Sequence, residues 1–248
     1  NRSTSVITQR GCPFECGFCS HWEGYRKVRR VPIPKLHDEF ADIRELGFKS
    51  LSIMDDEVNL NNDRLSDLCA AIDQYGFSYR CHVRASNFTE LQATWLANSG
   101  CREICVGVES GSQYILNNVD KRSTVEDNTR ARKIAKEFGL MFRAFIILGL
   151  PGETWETVKE SKHWLQDNVP DSYGVFTFQP YPGSPIYEHP ELYDIAFPKP
   201  LPYDKLDMVI RPDSKELRCL VSTSNMTSID IATAVRYFDI QLRKEIYG

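Results

Sequence analysis

Gly11-Cys12-Pro13-Phe14-Glu15-Cys16-Gly17-Phe18-Cys19 sets three cysteines in a C-x3-C-x2-C loop directly after a short apolar run, Ser5-Val6-Ile7-Thr8. Two or three intervening residues are enough to turn the backbone around a metal, so this spacing lets three thiolates converge on one inorganic centre. A structural zinc takes four protein ligands in a closed shell, whereas a cubane iron-sulfur cluster held by three thiolates leaves one iron open to an outside ligand. Two readings follow. One is an iron-sulfur centre with chemistry at the open iron. The other is a zinc whose Cys3His shell is completed by His21, which would make the chain a zinc-stabilised, non-catalytic α/β binding protein.

Outward from the loop, β-rich runs over residues 5–9, 50–54, 79–83, 103–108, 142–148 and 175–179 alternate with helix-like stretches. That alternation predicts βα units building a parallel sheet. Helices are expected over 35–46, 63–75 and 89–98, then a fourth opened by a Ser123/Glu126 capping box and a fifth over 153–167, with Gly47, Gly76, Gly100 and Gly139 at their ends. A partial (β/α)6 barrel and a doubly wound open sheet both fit. In either, active sites form at the carboxyl ends of the strands, where polar groups collect here: Gln9-Arg10, Asp55-Asp56-Glu57, Arg84, Glu109-Ser110 and Gln179 to Tyr181.

After Gln179 a run of prolines (Pro180, Pro182, Pro185, Pro190, Pro198, Pro200, Pro202 and Pro212) rules out regular helix or central strand. Tyr181, Ile186, Tyr187, Leu192, Tyr193 and Phe197 give the segment apolar surface to bury, which predicts an ordered wrap or lid. A final helix is expected over 228–246, with Ile231, Val235, Phe238 and Leu242 on one face. The expected division is a barrel over 1–188 and a C-terminal extension over 189–248 packing on it.

The 248 residues suffice for a sizeable core, and the net charge of −4 carries no signal for nucleic acid or an anionic membrane. Eight cysteines are too sparse for a disulfide scaffold in a chain of this length. Thiolate ligands need a reducing compartment, so the expected location is the cytoplasm. Cys81, Cys101 and Cys105 lie in or beside predicted strands and are expected in the core. No apolar run reaches the length of a membrane span, and the start at Asn1 suggests a segment excised from something longer.

With Phe18 just before the last cysteine, the loop resembles the signature of the radical S-adenosylmethionine (SAM) enzymes. The resemblance implies a 4Fe-4S cluster on Cys12, Cys16 and Cys19, SAM bound through its amino and carboxylate groups at the open iron, and a partial (β/α)6 TIM-like barrel with the proline-rich segment and helix appended. Further segments are similar in register. Asp55 and Asp56 stand where the family contacts the SAM amino group, and a cationic ammonium needs such an acceptor in a dry site. Glu109 and Ser110, within Gly107 to Ser112, stand where it approaches the ribose and methionyl end. Ile147 and Gly149, within Phe145 to Thr154, match the adenine-binding segment, and Pro180 the end of the sixth strand. Phe18 joins this cofactor set. Arg143 faces a carboxylate within the barrel or occupies an ordinary exposed strand position.

The similar segments are nearest the cobalamin-associated branch, although no Asp-x-His-x-x-Gly loop occurs in the chain. The implied reaction is reductive cleavage of SAM to a 5′-deoxyadenosyl radical that takes hydrogen from an unidentified small-molecule or peptide substrate. Cobalamin-dependent methyl transfer, with the cobalamin domain outside these residues, is the alternative. The electron would come from an external donor such as flavodoxin or ferredoxin. Arg26, Lys27, Arg29 and Arg30 form either its docking site or a solvated face.

Overall fold

The computed structural model describes residues 2–20, 23–202 and 219–248, with the side chains of Glu23 and Gly24 outside that description. The strands are β1 Ser3–Val6, β2 Gln9–Arg10, β3 Arg29–Arg30, β4 Ser50–Ile53, β5 Ser78–Val83, β6 Cys101–Glu109, β7 Met141–Leu148 and β8 Ser172–Thr177. The helices are α1 Glu23–Arg26, α2 Ile33–Glu45, α3 Asn62–Asp73, α4 Glu90–Asn98, α5 Gln113–Asn118, α6 Val125–Glu137, α7 Trp155–Asn168, α8 Pro185–Glu188, α9 Ser228–Arg236 and α10 Arg243–Tyr247.

Six strands form one parallel sheet in the order β1-β4-β5-β6-β7-β8, and β2 pairs with β3 in a separate antiparallel ribbon. Each new strand adds at the same edge, so the order never reverses as it does in a doubly wound sheet. This singly wound course, with β1 and β8 unpaired to each other, is the partial barrel.

Period-two burial separates the two faces. On β7, Phe142, Ala144, Ile146 and Leu148 are fully buried beneath helices, while Arg143, Phe145 and Ile147 face the concave lumen and stay partly accessible. The outer face joins Leu36 and Phe40 of α2, Leu65, Leu68 and Ile72 of α3, and Ala131 and Ile134 of α6 in one continuous core. Each fully buried Leu, Ile or Phe there contributes about 1.5–3 kcal/mol. Cys69, Cys81, Cys101 and Cys105 are buried, and none of the eight cysteines is in a disulfide.

The element ends differ from the sequence reading in instructive places. β1 covers 3–6 rather than 5–9, because Gln9 and Arg10 leave the sheet to pair with Arg30 and Arg29. The capping box of α6 is Thr124 with Asp127, one residue beyond the expected pair, and Ser123 is buried one position upstream. The C-terminal helix is interrupted by a π-helical stretch over Tyr237–Leu242. Tyr173 Oη donates to Phe238 O (2.5 Å) and Arg243 Nη2 to Tyr173 O (3.1 Å), which holds this helix against β8. Pro212, in the expected wrap, and His21 lie outside the described residues. No helix among the described residues is long and apolar enough to cross a membrane.

Candidate active site at the carboxyl end of the sheet

The cysteine loop is fixed at its entry by the two aspartates that follow β4. Asp55 accepts from Thr8 N (2.6 Å), Thr8 Oγ1 (2.5 Å) and Gln9 N (3.0 Å), and Asp56 accepts from Gly11 N (2.9 Å). Burial pushes the Asp55 carboxyl up, against the bonds from Thr8 and Gln9. Gly11 has φ of +103°, and a Cβ there would sit 2.6 Å from the carbonyl oxygens of Tyr25 and Lys27, so the turn into Cys12 admits no side chain. Cys12 N donates to Tyr25 O at 3.0 Å.

Past that turn the loop is held from both sides. Gly17 N donates to Val119 O (2.7 Å), and Ile186 N donates to Gly17 O (3.1 Å), so part of the proline-rich segment packs on the loop. Cys19 N closes a turn on Cys16 O at 3.0 Å.

Beneath the loop lies a buried ionic network. Arg84 follows β5 with its side chain only 2% exposed, and its Nη1 stands 3.3 Å from Glu57 Oε1. Its Nη2 donates to Lys121 O, and the guanidinium lies 3.6 Å from the centre of the Phe14 ring. Lys121 Nζ pairs with Glu109 Oε1 at 2.8 Å and stands 5.7 Å from the centre of the Phe18 ring. Cys12 Sγ lies 3.8 Å from Glu57 Oε1. Burial, with the Glu57 carboxylate beside it, pushes the Cys12 thiol up to about 12. Burial also raises Cys16, opposed by Lys121 and Arg84. Burial lowers the Lys121 ammonium, but Glu109 and Cys16 together outweigh it and leave the group raised. Two buried cations therefore face the thiol that would become a thiolate on binding iron.

Glu109 reaches Lys121 through a local distortion. The β6–β7 register shifts between Gly107 and Glu109, and Glu109 adopts φ of +61°, which costs a non-glycine residue about 1 kcal/mol. A Cβ on Gly107 would meet Glu109 Oε1 at 2.2 Å and Lys121 Nζ at 3.1 Å, so the Gly-Val-Glu spacing clears the space that this ion pair fills.

Of the residues singled out in the sequence, Cys12, Cys16, Phe18 and Glu109 gather here. Phe18 and Ile147 line one apolar cavity of about 140 Å3, with Phe176, Phe178, Gln179 and Tyr181, and buried Pro180 adjoins it. Asp55 and Asp56 turn their carboxylates to the backbone of the loop. Ser110 is spent on Ser112 N (3.1 Å) and Ser161 Oγ (3.1 Å), and Gly149 N donates to Glu153 Oε2 (3.2 Å). Arg143 stands deeper, in the lumen. Arg84, Lys121 and Glu57 were not among the expected site residues. Charged groups next to apolar strand ends were the signal, and Arg84 and Glu57 carry it.

Among the described residues no three His, Cys, Asp or Glu side chains are gathered tightly enough for a single metal ion. A cubane gives each thiolate its own iron, so its sulfurs stand farther apart than the ligands of one ion. Three cysteines in one loop supply the thiolate donors that such a cluster takes, and Lys121 and Arg84 stand near the thiol of Cys16.

The family model described as the Radical SAM superfamily matches residues 6–165. Over 195 residues the chain is 33% identical to a protein of Pyrococcus horikoshii named as an uncharacterized methyltransferase, covering 74% of this chain and 41% of that one. Over 218 residues it is 28% identical to the anaerobic magnesium-protoporphyrin IX monomethyl ester cyclase of Rubrivivax gelatinosus, covering 84% of this chain and 38% of that protein. The chain thus spans about two fifths of the length of these curated relatives. Among solved structures, the radical SAM methyltransferase TsrM of Kitasatospora setae, with cobalamin and a 4Fe-4S cluster bound, superposes with a TM-score of 0.66 at 21% identity, covering 74% of this chain and 38% of that one. Coproporphyrinogen III oxidase (HemN) of Escherichia coli gives 0.66 at 14% identity, over 98% of this chain and 52% of that one. At such identities the structural likeness speaks to the fold alone. The family match takes in the cysteine loop and every strand from β4 to β7, and the chain belongs to the radical SAM superfamily.

Proposed function

We propose that the chain is the catalytic barrel of a radical SAM enzyme acting on a small-molecule or peptide substrate in the cytoplasm, reduced by an external carrier such as flavodoxin or ferredoxin. Cys12, Cys16 and Cys19 would hold a 4Fe-4S cluster whose open iron takes SAM. Cluster and SAM together supply a one-electron reductive cleavage, yielding a 5′-deoxyadenosyl radical able to take a hydrogen atom from the substrate.

The chain's own residues bind, orient and exclude water. Arg84 and Lys121, each paired with a buried carboxylate, would set their N–H groups near Cys16 and favour its thiolate when a cluster is bound. Phe14 and Phe18 cover those cations from the loop side. Glu109, positioned by Lys121, keeps its second carboxylate oxygen for a hydroxyl or ammonium of SAM, and Ile147 with Phe18 offers a flat ring an apolar slot. The observation that carries the reading is the convergence of two buried cations on Cys16 beneath a loop holding three cysteines.

Anaerobic reconstitution should give about four irons per chain, brown absorption, and 5′-deoxyadenosine from SAM and dithionite. Cys16→Ala should lose both iron and product. Full 5′-deoxyadenosine production by that variant, or reconstituted protein without iron, would end the proposal. A second reading is supported by similar proteins whose names include methyltransferases. Cobalamin-dependent methyl transfer would then occur with the cobalamin carried outside these residues. It is tested by adding methylcobalamin to the reconstituted chain and looking for S-adenosylhomocysteine or a methylated product.

A further inference from the structure

The lumen holds an ionic layer whose charges do not balance. Arg80 on β5, Glu103 on β6 and Arg143 on β7 come from three neighbouring strands and share the lumen face. Glu103 lies between the two guanidiniums, 4.0 Å from Arg80 Nη1 and 4.0 Å from Arg143 Nη1, at the limit of ion pairing and beyond hydrogen-bonding reach. Among the described residues Arg80 has one hydrogen bond, from Nε to Ser52 Oγ at 2.9 Å. Arg143 has none among the described residues, and its buried Nε lacks any acceptor there. Nearer the mouth, Glu57 pairs with Arg84 and Glu109 with Lys121, one acid to one base. Here, among the described residues, a single carboxylate serves two guanidiniums, and burial with the neighbouring Arg80 lowers His82, so that ring stays neutral and adds no further positive charge. Cys105, the register partner of Arg143, is pushed up to about 11 by burial and Glu103, and stays a neutral thiol.

A buried guanidinium nitrogen without an acceptor is a cost the fold has not relieved internally, and an anion would relieve it. The groups remain reachable: the Arg143 side chain is 38% exposed, that of Arg80 50%, and Glu103 only 16%. Arg143 precedes the end of β7 by five residues, roughly 16 Å at about 3.3 Å per residue, too deep to meet the carboxylate of a SAM chelated at the mouth. Between the two levels the wall turns apolar. The Arg143 guanidinium lies 5.8 Å from the centre of the Phe145 ring, Phe145 and Phe176 are 5.9 Å apart, and Ile147 stands above them.

We propose that Arg143, with Arg80 across Glu103 from it, binds a carboxylate or phosphate carried by the substrate, whose apolar body lies against Phe145, Phe176 and Ile147. Two parallel N–H donors on a planar guanidinium match either oxyanion. The assignment rests on the reading of the barrel as the reaction chamber and narrows its substrate to amphipathic acids.

The test is calorimetric titration of the whole chain with 3-phenylpropanoate, its neutral amide and inorganic phosphate. The acid should bind at least tenfold more tightly than the amide and than phosphate. Arg143→Gln should erase that preference. Glu103→Gln, which removes the competing resident carboxylate, should tighten the acid threefold or more. This second variant decides the matter if Arg143→Gln does not fold. Equal binding of acid and amide, phosphate as good as the acid, or unchanged acid affinity in Glu103→Gln would each overturn the assignment. SAM cleavage is measured on the same preparation. Its absence refutes the radical reading whatever the titrations give, while intact cleavage without acid preference refutes this inference alone.

Discussion

Replacing Glu153 with Gln should stabilise the protein at alkaline pH and leave it little changed in mild acid. Glu153 is completely buried; Gly149 N donates to its Oε2 at 3.2 Å and Thr157 Oγ1 donates to Oε1. Burial pushes this carboxyl from 4.5 up to about 7, against the pull of those two bonds. A raised carboxyl holds its proton more tightly in the folded state than in the unfolded one. The stability it contributes is full below about pH 4.5, declines as pH rises, and is gone above about pH 7. The shift of about 2.5 units corresponds to about 3 kcal/mol in all, of which about 2 kcal/mol falls between pH 5.5 and 8. A glutamine is neutral throughout. Its oxygen can accept from Gly149 N, and its amide can donate to Thr157 Oγ1, which already has Thr154 O as an acceptor at 2.9 Å. Thermal unfolding of both proteins, matched in iron content, should show the variant gaining about 4 °C or more relative to the wild type between pH 5.5 and 8. A difference in melting temperature that stays flat across that range would refute the argument.

Lys121→Met leaves Glu109 buried without its partner and should destabilise by about 3–5 kcal/mol, read from urea unfolding. The double variant Lys121→Met/Glu109→Gln should recover most of that loss; if it recovers none, the pair is not what the lysine supports. Gly11→Ala places a methyl 2.6 Å from two carbonyl oxygens and should empty the reconstituted protein of most of its iron. Gly76→Ala, at φ of +62° with nothing within 4 Å, should keep its iron and lose only about 1 kcal/mol in the same unfolding assay. Equal iron contents in the two variants would contradict the picture of a rigid entry to the loop.

The fold was legible wherever local chemistry and tertiary packing agree. Gly47, Gly76, Gly100 and Gly139, expected at helix ends, all have positive φ there. Where two local solutions compete, the sequence leaves the choice open: Ser123-Thr124-Val125-Glu126-Asp127 holds two overlapping capping frames, and packing buries Ser123 and selects the second. Barrel and open sheet differ only in the order in which strands meet, which no periodicity encodes. In the site, the cysteines announce themselves by spacing. Lys121 does not, and Arg84 shows only as a charge at a strand end, because their meaning depends on a loop more than 60 residues upstream folding back over them. The π-helical stretch at Tyr237–Leu242 has no period-breaking signature, since Phe238 and Leu242 still fall on one face of an ideal helix.

The unreversed strand order bears on how the molecule is assembled during synthesis. From β4 onward every strand leaves the ribosome with its partner already in place, so the sheet can lengthen by addition at a single growing rim without waiting for distant chain. The cysteine loop emerges before all of this, yet its two cationic neighbours and the segment resting on Gly17 arrive at residues 84, 121 and 186. The thiols are therefore made early and enclosed late, and a cluster held by them as proposed would have its widest access in the interval between.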